Sequence, residues 1–169
     1  MRISSRLESD HLELDQLFEQ VWASLETGEC ADVFQRLDLF WARLAMHIRA
    51  EHRCLFPAIR TIPKGPEGIL EMFDELRNDH EFFMTELARA IEAMRLTFSF
   101  GNEAETIAIV RVILVQVKER LKIHNRIEED RIYPLVNDGS LELAAVRELA
   151  IGIEKELNNY PQRFVQGGR

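Results

Sequence analysis

An all-α fold is predicted here: an antiparallel up-down-up-down four-helix bundle with a short fifth helix at the C-terminus. Three features of the sequence predict it. Apolar residues recur at alternating three- and four-residue steps along four long segments, the pattern of a helix that buries one face. Glycine and proline cluster at a few positions between those segments. The connections left between them are short, which makes successive helices antiparallel neighbours. Composition agrees, since 46% hydrophobic and 30% charged residues with only 8 Gly and 5 Pro describe a folded helical chain rather than a disordered one. A length of 169 residues supports one sizeable core, so residues 1–169 are read as a single domain.

The first helix begins near Ser5 and ends before Gly28, with Leu7, His11, Leu14, Phe18, Val21 and Leu25 along its seam. The second carries Val33, Leu37, Phe40, Leu44, His47, Glu51 and Cys54. Residues 59–68, IRTIPKGPEG, form a loop whose Pro66 suits the first turn of the third helix. The third seam is Phe73, Leu76, His80, Phe83, Leu87, Ala90 and Met94, and its helix ends between Phe98 and Gly101. Asn102 and Glu105 have the spacing of a capping box for the fourth helix. Its seam is Ile107, Val110, Leu114, Val117, Leu121, His124 and Glu128. The bundle proper spans about 5–137; Gly139 and Ser140 open the fifth helix, about 140–158, which should pack across one end. The tail QGGR is expected to fray.

A net charge of −8 argues against nucleic acid or an anionic membrane as partner, and the acidic surface reads as a solubility feature. No apolar run approaches the roughly 20 residues needed to span a bilayer. The N-terminus, MRISSRLESDHLELD, lacks an apolar signal core, so the expected location is cytoplasmic. Cys30 and Cys54 have neither metal-ribbon nor redox spacing and are expected to be free thiols, Cys54 as a small core residue.

Six seam residues are polar where every neighbour is apolar: His11, His47, Glu51, His80, His124 and Glu128. A lone histidine there would be an ordinary hydrogen-bonded core residue. Four histidines and two glutamates need a common cause, because a buried, unpaired carboxylate is prohibitive. Their heights match. His47 and His124 each lie ten residues before a proline, about 15 Å of helix, while His11 and His80 lie early in helices running the other way. Glu51 and Glu128 are one turn from His47 and His124 on the same faces.

Those two turns sit in a repeated string, HIRAEHRCLFP at 47–57 and HNRIEEDRIYP at 124–134. Each copy of the helical hairpin also has an Asp-His pair in its first helix, Asp10-His11 and Asp79-His80. A pseudo-twofold axis would then set two equivalent metal ions side by side, their charge offset by two bridging carboxylates.

With these residues in hand, the chain resembles the hemerythrin-like, or HHE cation-binding, family. The resemblance covers roughly residues 5–137 and rests on both H-x-x-x-E strings, the histidines of the first and third helices, and the LFP and IYP endings. It implies a non-haem di-iron centre, oxo- or hydroxo-bridged, inside the bundle. His11 and His47 would bind one iron, His80 and His124 the other, with Glu51 and Glu128 bridging. The same donors also suit manganese or zinc. Oxygen carriers of the family have a further histidine one turn after the third-helix His, where this chain has Met84. They end with Asp five residues after the last His, where this chain has Glu129; Glu128 is preferred because it lies on the seam. Positions would stay open on both metals, so the site resembles the reactive or sensing branch more than the carriers.

The remaining polar residues are read as structural. His52 lies about 100° off the seam and is expected in a solvated or helix-terminal role, with a water-mediated place near the site as the alternative. Asp10 and Asp79 are read as capping or solvated residues, holding ligand imidazoles being the alternative. Phe18, Phe40 and Phe83, with Leu44, Leu114 and Val117, are core residues that could also line a dry pocket for dioxygen or nitric oxide.

The expected function is therefore binding, sensing or reacting with small oxidants: dioxygen, nitric oxide or peroxide. The alternative is an enzyme that decomposes peroxide, reduces nitric oxide or donates iron for iron-sulfur repair, a stress-response role. Iron storage ranks last, since two buried ions per chain are a small capacity. With no output domain expected in the chain, sensing would depend on a separate partner protein, and the sequence leaves a homodimer open.

Overall fold

The computed structural model of the protein describes residues 2–63 and 65–165, so the QGGR tail lies outside the described residues. Among those residues there is helix and turn but no strand. The helices are α1 (Ile3–Thr27), α2 (Cys30–Ala50), α3 (Phe56–Arg60), α4 (Ile69–Phe100), α5 (Glu103–Ile127), α6 (Leu143–Leu157) and α7 (Gln162–Val165). Two of them change pitch instead of stopping. α2 runs into a π-helical turn, Glu51–Leu55, and α5 into another, Glu128–Ile132, followed by a 3₁₀ turn at Tyr133–Val136. Short π turns inside α-helices are rare and frequently mark functional sites. Here each begins on one of the seam glutamates.

The helix ends follow local chemistry. α1 stops at Gly28, whose left-handed φ of 73° lets its amide bond back to the Ser24 carbonyl. Asn102 caps α5 by accepting from the Glu105 amide at 3.3 Å. Pro66 is not in the first turn of α4, contrary to expectation. Gly68, at φ 75°, holds a left-handed kink between Pro66 and Ile69, so the helix starts after it. α6, the short helix expected to open at Gly139 and Ser140, likewise starts later, because the Ser140 amide turns back to Asp138 Oδ1 at 2.8 Å.

α1 packs on α2, α2 on α4, α4 on α5 and α5 back on α1. Cross-helix pairs set the register. Glu26, Glu19 and His11 of α1 meet Arg111, Lys118 and Glu129 in that order, while Thr97 and Asp79 of α4 meet Thr106 and Arg120 of α5. Every predicted seam residue is buried except Ile107 and Cys54, which are half-buried.

The apolar core falls into two clusters. One fills the middle of the four long helices and includes Phe18, Phe40, Leu44, Phe83, Leu114 and Val117. The other, with Leu7, Phe56, Phe73, Tyr133, Ile153 and Leu157, joins the π turns to α6. The polar seam residues lie between them. α6 rests against α2, its π turn and α1, tied by Arg6 to Glu154 at 2.8 Å and by Arg49 to Glu156 at 2.5 Å. Cys54 belongs to this contact, with its sulfur facing Gly152. Both cysteines are free thiols. No described helix is long and apolar enough to cross a membrane.

Candidate metal centre

The six polar seam residues converge on one layer, and none is more than 3% exposed. Their ligand atoms form two groups of four, His11, His47, Glu51, Glu128 and Glu51, His80, His124, Glu128. Within each group the atoms lie within 4.8 Å of one another. Both glutamates belong to both groups, and their oxygens divide between them. Glu51 turns Oε1 to His47 Nε2 at 3.4 Å and Oε2 to His80 Nε2 at 3.3 Å. Glu128 turns Oε2 to His11 Nε2 at 3.4 Å and Oε1 to His124 Nε2 at 3.1 Å. Each carboxylate therefore faces both donor groups, one oxygen to each.

Three of the four imidazoles have their inward nitrogen determined by an outer carboxylate. His47 Nδ1 donates to Asp10 Oδ2 at 2.9 Å, His124 Nδ1 to Asp79 Oδ2 at 3.1 Å, and His11 Nδ1 to Glu129 Oε1 at 2.7 Å. A carboxylate only accepts, so the proton is on Nδ1 and the Nε2 lone pair faces the layer. His11 Nε2 lies 3.1 Å from His47 Nε2, and His80 Nε2 lies 2.9 Å from His124 Nε2. For His11 and His47, both with the proton on Nδ1, lone pairs at that distance repel unless positive charge is shared between them.

Protons can supply that charge in part. Burial alone would lower the His47 pKa, but Glu51 and Asp10 outweigh it and raise the pKa to about 10. Burial likewise opposes, and Glu128 and Asp79 overcome the opposition to raise, the pKa of His124 to about 10. Burial would raise the Glu51 carboxyl, yet His47 and His80 hold it well below its usual range. Even so, Oε2 of Glu51 and Oε1 of Glu128 are buried and accept no hydrogen bond. Two orphaned anionic oxygens among four inward imidazole nitrogens fit a pair of divalent cations better than they fit protons.

A family model described as the Hemerythrin HHE cation binding domain matches residues 2–136. The chain belongs to this family. No match was found among curated proteins or among solved structures. In this hemerythrin HHE domain the layer just described falls wholly within the matched residues.

Several residues around the layer depart from the sequence reading. Asp10 is neither a cap nor solvated; it is fully buried between His47 and Arg43, whose guanidinium donates to it at 2.7 Å. Burial raises its pKa, but the bonds to His47 and Arg43 win and set it at about 2. Asp79 similarly joins His124 to Arg120, at 3.1 and 2.6 Å. His52 is half-buried and contacts the site directly, its Nε2 lying 2.9 Å from Nδ1 of His80. Burial, then the neighbouring His80, lowers the His52 pKa to about 4 and keeps it neutral. Glu129 stays outside the layer as the partner of His11, its side chain 41% exposed. Met84, at the place of the carriers' extra histidine, packs on the central cluster.

Tyr133 was missed. It is fully buried, and its hydroxyl donates to Glu51 Oε1 at 2.8 Å while lying 2.9 Å from His11 Nε2 and 3.3 Å from Glu128 Oε2. Burial and the two glutamates push its pKa well above the usual phenol range, so it is an O–H donor. The available signal was the aromatic-proline ending shared by the two strings. A groove between α1 and α5, lined by Leu12, Asp15, Lys118 and Lys122, reaches His11 and Glu129 from the surface.

Proposed function

We propose that this hemerythrin HHE protein holds two iron ions, one at His11 and His47 and one at His80 and His124, with Glu51 and Glu128 bridging. In this reading it binds or reacts with dioxygen, nitric oxide or peroxide and is not a reversible oxygen carrier. The observation that carries the reading is the pair of four-donor groups sharing both glutamates in a layer closed by apolar clusters. Nitrogen and carboxylate donors suit iron, and four protein donors per ion leave room for a small exogenous ligand. When bound, the irons would supply electrons and Lewis acidity to that ligand.

The chain's own residues divide the rest of the work. Asp10, Asp79 and Glu129 orient imidazoles and strengthen them as donors. The α1–α5 groove gives small molecules a route as far as His11. Tyr133 favours a second, enzymatic version of the reading, peroxide decomposition or nitric oxide reduction, because its hydroxyl can donate a hydrogen bond to a ligand in the layer. Iron donation and storage are weaker readings for a layer of two buried positions. The helix pairings support an up-down-up-down bundle with α6 as fifth helix. Unpaired Cys30 and Cys54 suit a reducing, cytoplasmic setting.

The deciding experiment is metal analysis of protein from iron-supplied cells, followed by anaerobic reduction and exposure to oxygen, nitric oxide or hydrogen peroxide under spectroscopic observation. Close to two irons per chain, and irreversible oxidation by oxygen, are expected. Near-zero iron refutes the site, and an oxygen adduct that reverses under vacuum restores the carrier. Repeated peroxide turnover would select the enzymatic version.

A further inference from the structure

The internal repeat relates the two halves of the layer, and it also shows where they differ. Setting HIRAEHRCLFP on HNRIEEDRIYP pairs His47 with His124, Glu51 with Glu128, His52 with Glu129 and Phe56 with Tyr133. The last two pairs occupy equivalent places in space as well. His52 backs Nδ1 of His80 at 2.9 Å, and Glu129 backs Nδ1 of His11 at 2.7 Å. The Phe56 ring stacks toward His80 at 6.3 Å, and the Tyr133 ring lies 5.4 Å from His11. The wiring is the same in both halves, while the chemistry is opposite.

Behind His11 and His47 stand two carboxylates, Glu129 and Asp10, and a phenol oxygen faces their nitrogens. Behind His80 and His124 stand one imidazole, His52, and one carboxylate, Asp79. Hydrocarbon faces that half: Phe56, and Phe83 with its ring edge-on to His124 at 5.2 Å. Packing does not require the Tyr133 hydroxyl, because Phe56 fills the equivalent place in the same apolar cluster without one.

We propose that the two metal positions are unequal by construction: the His11–His47 position binds its ion more tightly and prefers higher charge, and the His80–His124 position is weaker and more exchangeable. This rests on the metal-binding reading above. A carboxylate hydrogen-bonded behind an imidazole makes that imidazole a stronger donor, and such an outer partner changes metal affinity by about 10–100-fold. An imidazole in that place offers no negative charge. Tyr133 adds one more oxygen within reach of the first position only. The shared pattern of the two strings therefore conceals a division of labour, with a strong and a weak position where the repeat alone implies two equivalent ions.

The test is anaerobic titration of metal-free, full-length protein with cobaltous ion, followed by visible absorption and calorimetry. Two steps separated by about 10–100-fold are expected. His11→Ala should abolish the tighter step and His80→Ala the weaker. Exchanging the repeat's residues by E129H/Y133F should draw the steps together. The reverse exchange, H52E/F56Y, should strengthen the weaker step, and it keeps the test intact if the first variant fails to fold. Two equal cobalt ions in the wild type would overturn this inference and leave the metal site standing. Steps that neither exchange moves would overturn it too. Absence of cobalt binding would remove both readings.

Discussion

Asp10 accepts a hydrogen bond from His47 Nδ1 at 2.9 Å and another from Arg43 at 2.7 Å, so one fully buried carboxylate joins the histidine-glutamate layer to a buried cation. Asp10→Asn keeps the shape but removes the charge, and metal affinity should fall by about 10–100-fold. Asp10→Ala should also destabilise the metal-free protein by about 3 kcal/mol, because Arg43 loses its buried carboxylate and keeps Glu13, the Leu157 carbonyl and the face of Tyr160. Metal titration and thermal melts check the two effects separately. An unchanged affinity in Asp10→Asn would show that Asp10 serves packing alone.

Metal should act as a structural ligand. An ion bound only to the folded state adds about 2.7 kcal/mol when present at a hundredfold excess over its dissociation constant. The metal-free protein should therefore melt at lower temperature than the loaded one. Glu51→Ala and Glu128→Ala should each lose metal rather than activity alone, since each carboxylate serves both four-donor groups. Coincident melting curves with and without metal would refute this.

Glu156 holds α6 on α2 and its π turn through Arg49 and Arg53, at 2.5 and 3.3 Å. Burial works to raise its pKa, but the two guanidinium groups prevail and lower it from 4.5. A carboxylate with a depressed folded-state pKa contributes stability above its unfolded value and loses it as pH falls through the folded one. Glu156→Gln in metal-free protein should therefore cost about 1.5–3 kcal/mol near neutral pH and progressively less below pH about 4.5. Urea unfolding of both proteins across that range is the measurement. A penalty independent of pH would mean the charge is irrelevant.

Gly152, mid-way along α6, faces Cys54, and a Cβ added there would stand 3.0 Å from the cysteine sulfur. Alanine gains about 1 kcal/mol over glycine inside a helix, and here that gain is opposed by crowding. Gly152→Ala alone should be close to neutral. In a Cys54→Ala background, where the nearest atom retreats to the Cβ at 3.7 Å, the same change should stabilise by the full ~1 kcal/mol. Equal effects in both backgrounds would eliminate the contact as a constraint.

The sequence by itself determined the helices, their buried seams and the six polar residues within them. Helical periodicity is a local property, and a histidine with a glutamate four places on stands on one face whatever the neighbours are. Asp10, Asp79, His52 and Glu129 were not legible in that way. Each lies beside a seam residue, and only the neighbouring helix decides whether such a position meets solvent or an imidazole. Tyr133 shows the same limit most sharply. In an α-helix a residue five places after Glu128 would be turned about 140° away from it. In the π turn at Glu128–Ile132 the Tyr133 amide bonds back to the Glu128 carbonyl, five residues earlier, and this wider turn brings the tyrosine back toward the glutamate's face, 3.3 Å from its carboxylate. Around that point Glu129 meets His11 of α1, and the 3₁₀ turn that follows packs on α1 and α3, contacts made with residues distant in the chain.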